Sequence, residues 1–171
     1  MQQHTETEIL DLVDENDNVI GVMERNEVYA KGLSNFRVIN CFIRNSEGKL
    51  FIPRRQKHKR LFPLALDISV GGHVTSGETY LEAFRKETRE ELNIDIETVS
   101  YRVLGTMNPH DDGVSAFMTV YEIRSDETPA YNSEDFVEHY WLTQEEVTQR
   151  LQDGDISKED LPKILKKYSL F

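Results

Sequence analysis

The sequence predicts a mixed α/β (α+β) fold in one domain over residues 1–171, with helices on a mixed sheet. Three observations lead there. Short runs of alternating or continuous apolar residues recur between turn signals, as strands do. Two segments, near residues 79–92 and 143–154, carry helical periodicity behind capping residues. No repeat, low-complexity tract or Pro/Ser-rich linker divides the chain.

The elements follow in order. Residues 8–13, EILDLV, and 19–28, VIGVMERNEV, flank the turn DENDN and predict a hairpin, making residues 1–30 an N-terminal β-hairpin extension. Asp14, Asn16 and Asn18 have the alternate spacing of a calcium loop, but Val19 and Arg25 stand where such a loop needs Gly and Glu, so calcium is rejected. Residues 36–53 predict a second hairpin, with FRVINCFI and KLFIP joined by NSEG. After the basic run RRQKHKR, LDISVGGHV reads as a strand ending in glycines. Residues 99–107 and 114–123 are further strands, joined by a loop carrying Asn108, Pro109, Asp112 and Gly113. A polar loop spans 125–135, HYWL is a short strand, and residues 143–171 hold C-terminal helices. The first of these has Thr143 as cap, Glu146 in the capping box and Gly154 near its stop.

Charge and composition exclude several function classes. The net charge of −11 opposes binding of a nucleic-acid polymer, yet permits a small phosphorylated ligand where a divalent cation reverses the field locally. No apolar run approaches the roughly 20 residues a membrane helix needs. The start, MQQHTETEIL, lacks the basic and apolar regions of a secretory signal, which places the chain in the cytoplasm. The lone Cys41, inside RVINCFI, forms no internal disulfide or thiolate zinc site and reads as a small buried hydrophobe.

The stretch GGHVTSGETYLEAFRKETREELNI, residues 71–94, carries the chemistry. Gly71 and Gly72 end a strand where backbone can approach a ligand, and Gly77 permits a tight turn. Thr79 and Glu82 form a capping box. At about 100° per residue, Leu81, Phe84, Thr88 and Leu92 make one stripe, and Glu87, Glu90 and Glu91 cluster beside it at spacings of three and four. Like charges so placed cost a helix roughly 0.2–0.5 kcal/mol per pair, a repulsion that a hard cation such as Mg²⁺ or Mn²⁺ removes. In a chain with 31 acidic residues the plainer reading is a solvated acidic face. The adjoining apolar stripe and the preceding Gly–Gly strand end favour a metal site instead.

These residues resemble the box of the Nudix hydrolases: Gly72, Glu78, Glu87, Glu90, Glu91 and Ile94 match its pattern in register, and the flanking segments extend the resemblance over nearly the whole chain. Lys86 stands where the family has arginine, and Asn93 where it has glycine. Asn tolerates a left-handed helix stop; Lys86 can reach Glu90 only as a point charge, which predicts weaker orientation of that carboxylate. The resemblance implies an α/β/α sandwich and hydrolysis of a pyrophosphate linkage in a nucleoside di- or triphosphate or a related derivative. It makes Glu87 and Glu91 metal ligands, Glu90 a ligand or the base, the Gly71 carbonyl a further ligand, and Glu78 a structural partner of basic residues on the helix. An additional acid is expected from Glu134, Asp135 or Glu138. Arg54 and Arg55, directly after a strand, suit phosphate oxygens, with His73 at the rim. Phe62, Phe117 and Tyr131 are candidate aromatic contacts for the group beyond the diphosphate. A homodimer is compatible with this reading, and no residue pattern decides it.

Two rivals share the fold. LFPLALDISVGGHV and His73 also resemble isopentenyl diphosphate isomerase, but that enzyme needs a cysteine where this chain has Gly71, and Cys41 lies in another strand. A nucleotide-sensing module without hydrolysis has only Lys86 in its favour.

Overall fold

The computed structural model describes residues 7–168; residues 1–6 of the expected extension and 169–171 of the C-terminal region lie outside it. Strands β1 (Ile9–Val13) and β2 (Val19–Glu24) pair antiparallel as a separate two-stranded ribbon. The larger sheet contains β3 (Arg37–Arg44), β4 (Leu50–Arg55), β5 (Val70–His73), β6 (Ser100–Met107), β7 (Phe117–Arg124) and β8 (Phe136–Leu142). Its order is β6-β7-β3-β4-β8, with β5 also paired to β3. The sheet is mixed, because β3 runs parallel to β7 while its other pairings are antiparallel.

Both faces of the sheet are covered, which explains the nearly unbroken apolar run in β3. Ile39, Cys41 and Ile43 face one way, into a cluster with Phe51, Val70, Phe84 and Leu92 from helix α2 (Tyr80–Leu92). Phe42 faces the other way, with Met118, Leu142, Val147 and Leu161, under helices α4 (Gln144–Gln152) and α5 (Asp160–Lys167). The expected three-layer α/β/α arrangement is the one observed. Cys41 is fully buried and its thiol is pushed up by loss of solvent.

Some expectations need correction. Residues 25–30 form helix α1 (Arg25–Ala30) instead of continuing the hairpin strand; Val28 is its buried anchor, packed in a third cluster with Leu10 and Phe36. The loop after β6 contains a helical turn, α3 (Pro109–Asp112), capped by the Asn108 side chain. The last strand begins at Phe136, before HYWL, because β4 pairs with it along its whole length. On α2, Leu81 is exposed and Ala83 is buried with Phe84, Thr88 and Leu92. The buried arc is therefore rotated toward Glu87 and Glu91.

The pairing of β3 with β4 is restricted to Arg44 and Leu50, next to the turn. Beyond it the strands part, and residues 65–73 enter the gap. Asp67 N–H bonds the Pro53 carbonyl at 2.8 Å and Ala65 accepts from Arg55 N–H at 2.9 Å, after which β5 crosses to pair Val70–His73 with β3. Ser69 sits at the fork, fully buried: its hydroxyl accepts from Ile43 N–H at 2.9 Å and donates to the Phe51 carbonyl at 2.6 Å. Replacing it by alanine leaves a buried amide without its acceptor, at a cost of about 1–3 kcal/mol. Ser69→Ala is expected to lower the urea midpoint with an unchanged slope; a shift below about 0.5 kcal/mol would contradict the role given to this hydroxyl.

Candidate active site

The forked sheet delivers β5 directly into α2 through a tight turn. Glu78 Oε1 accepts from Thr75 N–H at 3.0 Å and from the Thr75 hydroxyl, and Lys86 Nζ donates to the same oxygen at 2.7 Å. Lys86 thus ties the helix back to its own entry turn and does not make the expected reach to Glu90. The ribbon secures this turn from outside: Asp11 accepts from the Ser76 hydroxyl at 2.7 Å and from Gly77 N–H at 3.3 Å. Thr79 and Glu82 form the reciprocal capping box. Asn93 closes the helix in the left-handed conformation at φ 56°, and its side chain donates to the Ala130 carbonyl.

Between these fixed ends, Glu87 and Glu91 point at the glycine pair. The Glu87 carboxylate lies over Gly72 so closely that a Cβ there would stand 2.2 Å from its Cδ. Glu91 Oε2 accepts from Gly71 N–H at 3.3 Å. Burial, then the charge of Glu90, pushes the Glu87 carboxyl up to about 8. Burial, then Glu87, Asp67 and Asp135, pushes Glu91 well above the usual carboxylate range. Glu90 is exposed beside Glu87. Among the described residues, no three His, Cys, Asp or Glu side chains already stand as a closed chelate. The donor set nevertheless suits a hard divalent ion: two crowded, partly buried carboxylates, a third open to solvent, and a glycine cradle that any side chain would fill.

The other sequence candidates fall in different places. Asp135 acts on Glu91 and is paired with Lys59; Glu138 is exposed and bonds Arg54; Glu134 is exposed. Arg54 gives its donors to Asp155 at 2.9 Å, Glu138 and the Leu64 carbonyl at 3.0 Å, and Tyr140. Arg55 bonds Asp67 at 2.8 Å and the Leu61 carbonyl at 3.1 Å. Both arginines are therefore engaged within the protein, and together they hold the loop at residues 61–64. In that loop Phe62 and Leu64 adopt positive φ and remain exposed. Phe117 is buried, and Tyr131 packs on Phe51, Phe136 and His139. His73 bonds the Tyr29 hydroxyl at 2.8 Å and lies beside Phe36; burial, then Arg25, Lys158 and Lys86, pushes it down to about 3, so it is neutral.

Sequence reasoning missed two residues. Asp67 is buried beside Arg55 and acts on Glu91. Lys158, between the last two helices, brings its Nζ to 3.7 Å from Asp67 and 3.7 Å from the position of a Gly71 Cβ. LDI offered a buried-strand signal for Asp67 but none for its neighbours, and nothing in ISKED points to a distant glycine pair.

The NUDIX domain profile matches residues 35–163, a span that contains the forked sheet, α2 and Lys158. The chain belongs to the Nudix family. It is 53% identical to an uncharacterised Nudix hydrolase of Nostoc sp. over 161 residues, covering 94% of this chain and 95% of that protein. A Nudix hydrolase of Deinococcus radiodurans is 49% identical over 160 residues, covering 94% and 93% of the two chains. The crystal structure of DR0079 from the same organism superposes with a TM-score of 0.89 at 48% identity, covering 94% of this chain and 98% of that one.

This Nudix protein is accordingly a hydrolase of a family that cleaves pyrophosphate bonds in nucleoside diphosphate derivatives and generally needs divalent metal ions. Its lone thiol is enclosed in the α2-side core rather than at Gly71, so nothing here supports the isomerase reading. No helix among the described residues is long and apolar enough to cross a membrane. The close approach of Glu87 to Gly72 yields a direct test. Gly72→Ala is expected to keep the fold, since Gly72 has no positive φ, while forcing Glu87 aside and weakening Mn²⁺ binding at least about tenfold. Calorimetric titration checks this; unchanged Mn²⁺ affinity would refute the role of the cradle.

Proposed function

We propose that this Nudix hydrolase cleaves the phosphoanhydride linkage of a nucleoside di- or triphosphate, or a related nucleoside diphosphate derivative, with Mg²⁺ or Mn²⁺. The observation that carries the reading is the seating of Glu87 and Glu91 on consecutive glycines at the strand end. Glu87, Glu91 and the Gly71 carbonyl would hold the cation, with Glu90 as a further ligand or as the base. A divalent ion bound there would ease deprotonation of water and screen the phosphate oxygens.

The protein's own groups supply the rest. Glu90, exposed beside Glu87, would accept a proton from the attacking water. Asp135 is the proposed additional acid: it is paired with Lys59 but half-buried on the side of Glu91, on which its charge acts, whereas Glu138 is exposed and bonded to Arg54 and Tyr140. Arg54 and Arg55 shape the wall by holding residues 61–64, and the exposed Phe62 ring offers a face for a base or another planar group. Neutral His73 buttresses the strand end through Tyr29.

A panel of nucleotides, dinucleotides and nucleotide sugars, assayed for phosphate and nucleoside monophosphate release with and without Mg²⁺ or Mn²⁺, tests the reading. Metal-dependent release is expected, and Glu87→Gln is expected to reduce it at least about 100-fold while leaving the protein folded. Nucleotide binding without release in the wild type would instead identify a sensor.

A further inference from the structure

We propose that Lys158 is a phosphate-positioning residue, placing one cationic group against the diphosphate of the substrate from the side opposite the α2 carboxylates. The inference rests on the functional reading above and adds a residue from a distant part of the chain.

The backbone around Lys158 is fixed. Leu66 N–H bonds the Ile156 carbonyl at 2.8 Å, and Lys158 N–H bonds the Leu66 carbonyl at 2.9 Å, so a short parallel bridge fastens this segment to the stretch leading into β5. The Ser157 hydroxyl adds a bond to the Lys158 carbonyl at 3.0 Å. From this anchor the side chain runs toward Gly71, where Glu91 also arrives.

Lys158 is not needed to neutralise Asp67. That carboxylate already accepts from Arg55 at 2.8 Å and from Ile68 N–H at 2.7 Å, while Lys158 Nζ stands 3.7 Å away, beyond hydrogen-bond reach. The neighbouring cations Arg54, Arg55, Lys59 and Lys86 each hold a carboxylate at hydrogen-bond distance. Among the described residues, Lys158 is thus the cation beside the glycine pair whose donors are least committed, and 30% of its side chain is open to solvent. A compact ammonium on a flexible stem suits the varied oxygens of a phosphoanhydride. It would offset the acidic surroundings that a phosphorylated substrate must enter.

The test uses methylenediphosphonate, a diphosphate mimic with a non-hydrolysable P–C–P bridge, titrated calorimetrically with Mn²⁺ present into wild type, Lys158→Ala and Lys158→Arg. Lys158→Ala is expected to weaken binding at least about tenfold, or roughly 1.4 kcal/mol, and Lys158→Arg to recover most of it. Mn²⁺ affinity in the absence of the phosphonate and the melting temperature should stay unchanged. With a cleaved substrate, KM should rise while kcat stays within about threefold. Equal phosphonate affinity in wild type and Lys158→Ala, no binding by wild type, or a loss that tracks Mn²⁺ affinity would each overturn the assignment. Lys158-dependent phosphonate binding in a protein that cleaves no phosphoanhydride would uphold it and reject the hydrolytic reading.

Discussion

The candidate site depends on one close approach: a glutamate side chain of α2 laid directly on a glycine of β5. Nothing larger than hydrogen fits on Gly72 while Glu87 holds its position. The rest of the architecture makes that contact reproducible. The fork between β3 and β4 admits β5, Ser69 satisfies the backbone at the fork, and the Glu78–Lys86 pair fixes the angle between turn and helix. Rotation of the buried arc toward Ala83 turns Glu87 and Glu91 inward, where an ordinary amphipathic helix would present them to water.

That arrangement has an electrostatic cost. Carboxylates crowded at the edge of an apolar core resist ionisation, and loss of solvent holds both Glu87 and Glu91 above the usual carboxylate range. The surroundings are instead neutralised pair by pair: Arg55 with Asp67, Lys59 with Asp135, Arg54 with Asp155 and Glu138. Among the described residues, Glu87 is left with only the distant Lys86, at 3.8 Å, and Glu91 with one backbone donor. Acidic groups without a close cationic partner are thus concentrated at the glycine pair.

Much of this was legible in the sequence. Helix α2 could be delimited because Thr79, Glu82 and Asn93 mark its ends and Phe84, Thr88 and Leu92 its buried face. The glutamate spacing then marked a candidate site on it. Helix α1 was hidden because its N-terminus lacks a side-chain cap and Val28 is its single buried residue. The partners of Arg54 and Arg55 were hidden for a different reason: sequence displays their charge but not the groups they bond, which come from residues 61–67, 138–140 and 155. Lys158 was invisible on the same ground, because only the pairing of Leu66 with residues 156–158 carries it to Gly71. Helical periodicity likewise suggested Glu90 for Lys86, while the fold brought Glu78 closer.

A cation trapped between α2 and the β5 glycines can be located by anomalous diffraction from crystals soaked in Mn²⁺. A peak is expected within coordination distance of Glu87, Glu91 and the Gly71 carbonyl oxygen. Manganese bound elsewhere, with Glu87 still resting on Gly72 and no anomalous density beside it, would rule out a cation site on these carboxylates.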